Sequence, residues 1–286
     1  MGSTKQDVQV SYDVSNEFFR LWLDERMNYT SAVFESWDQS LEAAQLNKLK
    51  ILSDFAKVTP ESRVLDIGCG WGACVEYLAT TRKVKEAVGI TLSPAMADEV
   101  NERKIPNVKC VSGDFRTWEP EDGQKFDGLI SICMMDHLCS PQEAREGKAI
   151  DIYRNYFKKC WQLTKPGSWF GLQTILRNRT PRDKKDLADV YFVTHEIFPG
   201  GLNPRLEDII IAVNPYWEVV QANTRREHYG KTTGEWLRRL RLNEKTIREK
   251  WGNKVYDDYD RYLATCVTCF DKHYSSLAQY ELRRID

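Results

Sequence analysis

The sequence has no excess of charge of either sign. Its 286 residues include 41 Lys and Arg against 42 Asp and Glu, which leaves a net charge of −1. Such a balance gives the chain no overall attraction to nucleic acid or to an anionic membrane. We therefore predict no nucleic-acid partner, and we expect any binding of an anion to depend on a local cluster of basic residues.

Long hydrophobic runs are also missing. No apolar stretch approaches the roughly 20 residues that a membrane span requires. The opening residues, MGSTKQDVQVSYD, have no apolar segment of the kind found in secretion signals. We expect a cytoplasmic protein without integral membrane association, and the sequence leaves a homo-oligomer open.

Histidine is scarce, with four residues against eight cysteines. The cysteines are scattered, and only Cys266 and Cys269 form a C-x-x-C pair. A zinc site would need a second such pair, or histidines at ligand spacing. We therefore predict buried, reduced thiols and no metal site.

The remaining composition is typical of a globular protein, with 42% hydrophobic and 29% charged residues. From residue 61 the hydrophobic pattern alternates between short strands and helices, which predicts a doubly wound α/β sheet with parallel pairing. Residues 1–60 carry helical patterns, and 177–215 interrupt the alternation with a charged, aromatic and then Gly/Pro-rich segment. Residues 216–286 return to strand and helix. The predicted strands include RVLDIGC, KEAVGITLS, VKCVSGDF, FDGLISICMMDHL and SWFGLQTIL.

The stretch LDIGCGWGA predicts a ligand-binding turn between a strand and a helix. Gly68 and Gly70 let the backbone approach a ligand closely, and Asp66 at the strand end can accept a hydrogen bond from an amine or hydroxyl. The second strand ends in VGITLS, without the acid that NAD-binding proteins place there. The third ends in SGDF, which puts Asp114 where an adenine amino group could be recognised. These features favour S-adenosylmethionine, a cation, over a dinucleotide, and a purely structural glycine turn is the alternative.

Several motifs along the chain carry a family resemblance. In order they are VSYDVSNEFFRLWLDERMNYTSAVFE, LDIGCGWG, GITLS, EIFPGG and HYGKTTGEWLRRL. Together they resemble the cyclopropane fatty acid synthase and mycolic acid cyclopropane synthase family of S-adenosylmethionine-dependent methyltransferases. The resemblance implies a class I methyltransferase (Rossmann-like) fold. It assigns residues 1–60 to a helical cover over the cofactor, 61–176 to the cofactor-binding core, 177–215 to a substrate cap and 216–286 to the completion of sheet and active site.

The resemblance also implies roles for individual residues. Tyr12, Tyr29 and Thr30 would close over the methionine part of the cofactor, with core packing as the alternative for the two tyrosines. Gly68 and Gly70 would line the sugar, and Thr91 follows the second strand. The implied catalytic residues are Asp136 and His137, in MDH where the family has FEH, and Tyr229 in HYGKT.

Three replacements separate the chain from the lipid-modifying members of that family. Those members hold a bicarbonate ion, the presumed base, with a group that includes a cysteine, a glutamate and a histidine. This chain has Ser31, Asp136 and Gln173 at those positions. Aspartate in place of glutamate draws the carboxylate back by about 1.5 Å, one C–C bond. We therefore predict an enzyme that works without bicarbonate and forms no cyclopropane on lipid chains.

The cofactor determines the chemistry to expect. Its methyl carbon is electrophilic, so the protein must align an electron-rich acceptor and exclude water. An alkene acceptor would pass through a carbocation, which an aromatic face stabilises by up to about 2 kcal/mol. Asp136, His137 or Tyr229 could then take the proton. The aromatic candidates are Trp22, Phe34, Tyr191, Phe192, Phe198, Tyr229 and Trp236.

The acceptor predicted from these features is a small electron-rich molecule, namely an alkene, a prenyl diphosphate or an aromatic compound, methylated on carbon in natural-product biosynthesis. The basic clusters RNRTPRDKK and TRREHYGK…RRLR could clamp a diphosphate, and solvated helix faces are the alternative for both. Other possible functions are N-methylation of a small amine, cyclopropane formation on an acyl chain, and cofactor binding without catalysis.

Overall fold

A computed structural model describes residue 2 and residues 14–286. In the described part, eleven α-helices accompany a seven-stranded sheet. The strands are β1 (Arg63–Ile67), β2 (Glu86–Thr91), β3 (Val108–Ser112), β4 (Phe126–Ile132), β5 (Thr164–Arg177), β6 (Trp217–Thr224) and β7 (Ser275–Arg284). The helices are α1 (Asn16–Arg20), α2 (Leu41–Phe55), α3 (Ala73–Thr80), α4 (Pro94–Glu102), α5 (Pro141–Arg145), α6 (Ala149–Gln162), α7 (Lys184–Phe192), α8 (Leu206–Val213), α9 (Arg226–Leu242), α10 (Glu244–Trp251) and α11 (Asn253–Asp271).

The strand order is β3-β2-β1-β4-β5-β7-β6, and β1 to β5 run parallel. In the central strand β1, Leu65 pairs with Val88 on one side and Leu129 on the other. All five residues of β1 are buried, as expected for a strand covered by helices on both faces. The predicted doubly wound α/β architecture is therefore confirmed.

The last strand departs from the predicted parallel pairing, because β7 is antiparallel to both β5 and β6. The reason lies in the helices before it. Tyr229, near the start of α9, stacks on Phe270, near the end of α11, with ring centroids 4.5 Å apart. The chain therefore leaves and re-enters the sheet at the same edge, so β7 must run in the reverse direction.

Strand β4 is shorter than the predicted segment FDGLISICMMDHL. It ends at Ile132 because Cys133 adopts a left-handed conformation with φ 58°, which cannot continue a strand. A turn of 3₁₀ helix, Met135–His137, follows. This turn places Asp136 and His137 at the carboxyl edge of the sheet.

The segment 177–215 contains α7, a π-helical turn (Val193–Ile197) and α8. Helix α8 packs on α6, while α7 packs on α11. An aromatic core lies between the N-terminal residues and helices α9 to α11, and includes Phe18, Phe19, Trp22, Trp71, Trp236 and Tyr259. The segment therefore bridges the sheet and this aromatic core.

Within residue 2 and residues 14–286, none of the helices combines the length and the apolar character needed to cross a lipid bilayer.

Candidate active site

A cavity of about 490 Å³ opens at the carboxyl ends of the parallel strands. Residues that follow β1, β2, β3, β4 and β5 all contribute to its wall, which is where open α/β sheets bind ligands. Residues of the segment 177–215 and of α11 line the opposite side. We call the part near the glycine turn the cofactor end and the part near α11 the acceptor end.

The glycine turn forms the floor of the cofactor end. Gly68 and Gly70 both line the cavity and both have positive φ, 83° and 51°. A side chain at Gly70 would meet no protein atom within 4 Å, so it would extend into the cavity itself. At Gly68, a Cβ would lie 2.9 Å from that of Met134. Glycine is therefore needed at position 70 to keep the cavity open and at position 68 to avoid a clash with Met134.

Asp66 lies at the end of β1 and lines the cofactor end with only 2% of its surface exposed. Burial raises the pKa of its carboxyl to about 7, although a hydrogen bond with Cys74 and the charge of Lys48 favour ionisation. A cationic or hydroxyl-bearing ligand would stabilise the carboxylate and lower this pKa again.

Asp114 and Thr91 also lie at the cofactor end, as predicted. The Asp114 carboxylate accepts hydrogen bonds from Arg116, whose Nη2 lies 2.6 Å from Oδ2. These bonds hold the pKa of Asp114 below its usual range. No sequence motif indicated Arg116, which lines the same wall and fixes the direction of the carboxylate.

Tyr29 and Thr30 line the cavity as predicted, while Tyr12 lies outside the described residues. A buried lysine holds this loop, because Lys48 Nζ donates to Thr30 Oγ1 and to Asn28 Oδ1, each at 2.9 Å. Lys48 has no exposed surface, and burial lowers its pKa to about 8. Sequence reasoning missed it, since a lysine in a helical pattern normally indicates an exposed face.

Asp136 lines the cavity between its two ends and is 6% exposed. Its Oδ1 accepts from Thr174 Oγ1 at 2.6 Å and from the backbone N–H of Ile175 at 3.1 Å. Its Oδ2 is buried and has no hydrogen-bond partner among the described residues. Burial raises the pKa of the carboxyl to about 7, so it can exchange a proton near neutral pH.

His137 and Tyr229 line the same cavity. Burial lowers the pKa of His137 to about 4, which makes the imidazole neutral and a weak base at neutral pH. The Tyr229 ring is held by stacking on Phe270 and by an edge contact with Trp236. Asp136 therefore has a pKa better suited to proton transfer at neutral pH than that of His137.

Ser31 and Gln173 are fully buried and are absent from the cavity wall. The Gln173 Oε1 accepts from Gln279 Nε2 at 2.8 Å. Its own amide nitrogen lies 3.4 Å from the Ser31 carbonyl oxygen and 3.8 Å from Cys133 Sγ. The Ser31 hydroxyl donates to the Ala32 carbonyl. The polar groups of both residues are therefore directed at protein atoms.

The aromatic wall of the acceptor end differs from the predicted one. Among the candidates, only Phe198 and Tyr229 line the cavity, and Tyr191 is 61% exposed. The rest of the wall comes from one face of α11, at the helical spacing 262, 265, 266, 269 and 270. Its residues are Tyr262, Thr265, Cys266, Cys269 and Phe270. The periodicity was visible in the sequence, but nothing there indicated that this face meets the cavity.

The two basic clusters are placed differently. From the first, Arg177 and Arg179 line the cavity. None of the lysines and arginines of the second does, which favours the alternative of a solvated helix face for that cluster. Arg238 and Arg239 instead pair with Glu235, and Arg241 pairs with Asp260. Arg238, Arg239 and Arg241 are therefore held in ion pairs outside the cavity wall.

The cysteines are all free thiols, and five of the eight are buried. Cys133, Cys266 and Cys269 are only partly buried and line the cavity, in contrast to the prediction of buried thiols. Over the described residues, no group of three or more His, Cys, Asp or Glu side chains is arranged to hold a metal ion.

Comparison with known proteins gives consistent matches over the chain. The family model described as mycolic acid cyclopropane synthetase matches residues 2–280. Cyclopropane mycolic acid synthase 2 of Mycobacterium bovis is 30% identical over 295 residues, which cover 96% of this chain and 93% of that protein. The structure of the cyclopropane synthase MmaA2 from Mycobacterium tuberculosis superimposes with a TM-score of 0.89 at 25% identity, covering 100% and 99% of the two chains. The mycolic acid cyclopropane synthase CmaA1 complexed with SAH and CTAB gives 0.88 at 25% identity with the same coverage.

Proposed function

The chain belongs to the mycolic acid cyclopropane synthetase family of S-adenosylmethionine-dependent methyltransferases, and from this premise we propose that it methylates carbon in a small electron-rich acceptor. The family, the class I methyltransferase fold and the cofactor predicted from the motifs are confirmed. The acceptor, its place in natural-product biosynthesis and the division of the chain into functional segments are the proposed parts.

The residues of the cofactor end fit S-adenosylmethionine. Any side chain at position 70 would extend into the cavity, so glycine leaves room for a ligand to lie against the backbone. We propose that Gly68 and Gly70 lie along the ribose and that Asp66 accepts from its polar groups. Asp114, held by Arg116, would bind the adenine amino group, and Tyr29 and Thr30 would cover the methionine part. The cofactor supplies an electrophilic methyl group.

The environment of the Asp136 carboxyl is the observation that most strongly supports the proposal. The group is a buried carboxylate at the junction of the two ends, with a pKa near neutrality and one oxygen without a partner among the described residues. Such a group can take a proton from the acceptor without an added base. The apolar wall of α11 and the rings of Phe198 and Tyr229 would exclude water from the acceptor.

The placement of Gln173 and Ser31 supports a reaction without bicarbonate. A buried anion needs several donors, since each missing donor costs about 1–3 kcal/mol. The Gln173 amide and the Ser31 hydroxyl are directed at protein atoms, and neither residue lines the cavity. We therefore propose that this enzyme does not use the ion and does not form cyclopropanes on acyl chains.

Two further acceptors have specific support. N-methylation of an amine would also use Asp136 as the base. A prenyl diphosphate would find Arg177 and Arg179 at the acceptor end, although Arg177 already donates to the Asn203 carbonyl oxygen and Arg179 to that of Lys272.

Methyl-labelled cofactor offered with panels of alkenes, prenyl diphosphates, phenols, amines and unsaturated phospholipids tests the proposal. Mass spectrometry should find the label on carbon of a small acceptor. Label found only on nitrogen would select the amine alternative, and a lipid cyclopropane would contradict the proposal.

A further inference from the structure

The two oxygens of Asp136 are in different surroundings. Oδ1 is saturated by the Thr174 hydroxyl and the Ile175 N–H, while Oδ2 is buried with no hydrogen-bond partner among the described residues. Buried polar atoms in proteins are nearly always hydrogen-bonded, and Asp136 lines the cavity, so its unpaired oxygen indicates a ligand. In the ionised form the carboxylate can only accept, so the partner of that form must be a donor.

The neighbouring protein groups do not supply this donor. Thr174 gives its proton to Oδ1, and the Gln173 amide is directed at Ser31 and Cys133. The Cys133 thiol interacts with the carboxyl and helps it to ionise, but a thiol is a weak donor. Since no described residue supplies a stronger donor, we assign this donor to a molecule in the cavity.

We propose that the acceptor carries a hydroxyl group, as a phenol or an enol, next to the carbon that is methylated, and that Asp136 Oδ2 binds and deprotonates this hydroxyl. The inference rests on the proposed methyl transfer to carbon and narrows its acceptor class. A bare alkene would leave the buried carboxylate unpaired. A hydroxyl donating to an ionised group binds more tightly by about 10- to 100-fold.

Charge favours a hydroxyl over an ammonium group. The cofactor already brings a sulfonium cation, and the Lys48 ammonium is close enough to act on Cys133 and Asp66 in the cavity wall. Among the described residues, Asp136 is the one carboxylate of the cavity wall that lies outside the cofactor end. A second cation beside the sulfonium would be repelled, whereas a neutral phenol or enol would not.

The reaction step then balances. The hydroxyl proton passes to Asp136 Oδ2, and the oxygen lone pair raises the electron density on the carbon next to the one that bears the oxygen. That carbon forms a bond to the methyl carbon while the bond between the methyl carbon and sulfur breaks. The electron pair of the broken bond stays on sulfur. The product is a methylated ketone or dienone together with S-adenosylhomocysteine, and a phenol is restored when the ring carbon loses its proton.

Binding to the S-adenosylhomocysteine complex tests the inference without turnover. Calorimetry would compare 1-naphthol with 1-methoxynaphthalene, which lacks the donor. At pH 8 the wild type should bind naphthol about tenfold or more tightly. Asp136→Asn presents an N–H at the Oδ2 position, so this preference should fall to about one. Asp186→Asn is the matched control, because Asp186 is equally buried, pairs with Lys272 and Tyr274, and does not itself line the cavity.

A pH series on the wild type gives a second test that needs no variant. The titratable groups facing Asp136 are Cys133 and His137 on its own loop and Tyr153 on α6. Burial raises the pKa of the thiol and of the phenol and lowers that of the imidazole to about 4, so none of them titrates between pH 6 and 8. Asp66 at the cofactor end also has a pKa of about 7, but both probes are neutral, so its charge affects them alike. The preference for naphthol should therefore increase with pH across this interval as the Asp136 carboxyl ionises.

The outcomes are distinct. Equal binding of both probes, binding of neither, or a preference unchanged in Asp136→Asn would overturn the inference. If 1-aminonaphthalene is preferred over naphthol, the donor is N–H and the hydroxyl assignment is wrong. Methyl transfer to carbon of an alkene with no preference for naphthol would leave the proposed function intact and remove only this inference.

Discussion

At the scale of single residues, protein groups hold Asp136 in place, so a substitution there can test its proposed catalytic role separately from cofactor binding. Thr174 and Ile175 hold Oδ1, and Asn at this position can keep both bonds. We expect Asp136→Asn to reduce turnover by roughly 10² or more while leaving cofactor affinity nearly unchanged, as for loss of a general base. Steady-state kinetics and calorimetry with S-adenosylhomocysteine measure the two quantities. Equal losses in both would make Asp136 a structural or cofactor-binding residue.

The same carboxyl makes the stability of the protein depend on pH. Its pKa is about 7 in the folded protein and near 4 when unfolded, so the folded state holds the proton more tightly. Stability should therefore decrease as pH increases between these values. Asparagine has no proton to lose, so the melting temperature of Asp136→Asn relative to wild type should increase from pH 5 to pH 8. A constant difference in thermal unfolding curves would show that the pKa is not raised.

At the scale of secondary-structure elements, a buried lysine of α2 holds the loop that precedes this helix. Lys48 connects Asn28 and Thr30, and Asn28 in turn donates to Asp24. Lys48→Met removes the donors and leaves two acceptors of the cofactor loop unpaired. We expect cofactor affinity to fall about tenfold or more. Lys50→Met is the control, since Lys50 is exposed on the same helix and pairs only with Asp54 among the described residues. Calorimetry that finds both variants equal to wild type would refute this role.

The glycine turn gives a test with a close control. Gly70→Val combines backbone strain at positive φ with a side chain in the cavity, so cofactor binding should be largely lost. Gly147 also has positive φ and open space around it, but it lies outside the cavity wall. Gly147→Val should therefore lose stability through strain yet keep its affinity in calorimetry. Retained affinity in Gly70→Val would remove the cofactor assignment.

Elements whose pattern is local were predictable from the sequence. Strand β1 and its glycine turn follow from a buried run ended by glycines, and the whole of β1 is buried. The end of β4 was predicted wrongly, because the left-handed conformation of Cys133 has no signature in an apolar run. The cavity face of α11 was missed for a similar reason, since helical periodicity marks a buried face without telling what it covers.

At the scale of the whole molecule, the architecture followed from alternating strands and helices, but the site required contacts between distant segments. The antiparallel entry of β7 brings Gln279 to Gln173, residues 106 positions apart. Helix α2 brings Lys48 under the loop of Thr30. Asp136 was found through a family motif. Its raised pKa and the oxygen that lacks a partner among the described residues depend on packing that no sequence pattern records, and so does the hydroxyl-binding role proposed for it.

The central claim is that methyl transfer proceeds on the chain's own base, without bicarbonate. It is tested most directly by measuring turnover in rigorously degassed buffer with and without added bicarbonate, with an accepted small substrate and with unsaturated phospholipid. We predict equal rates on the small substrate in both buffers, because Ser31 and Gln173 bond to protein atoms and do not line the cavity. Strong stimulation by bicarbonate, or a cyclopropane product from the lipid, would contradict the account.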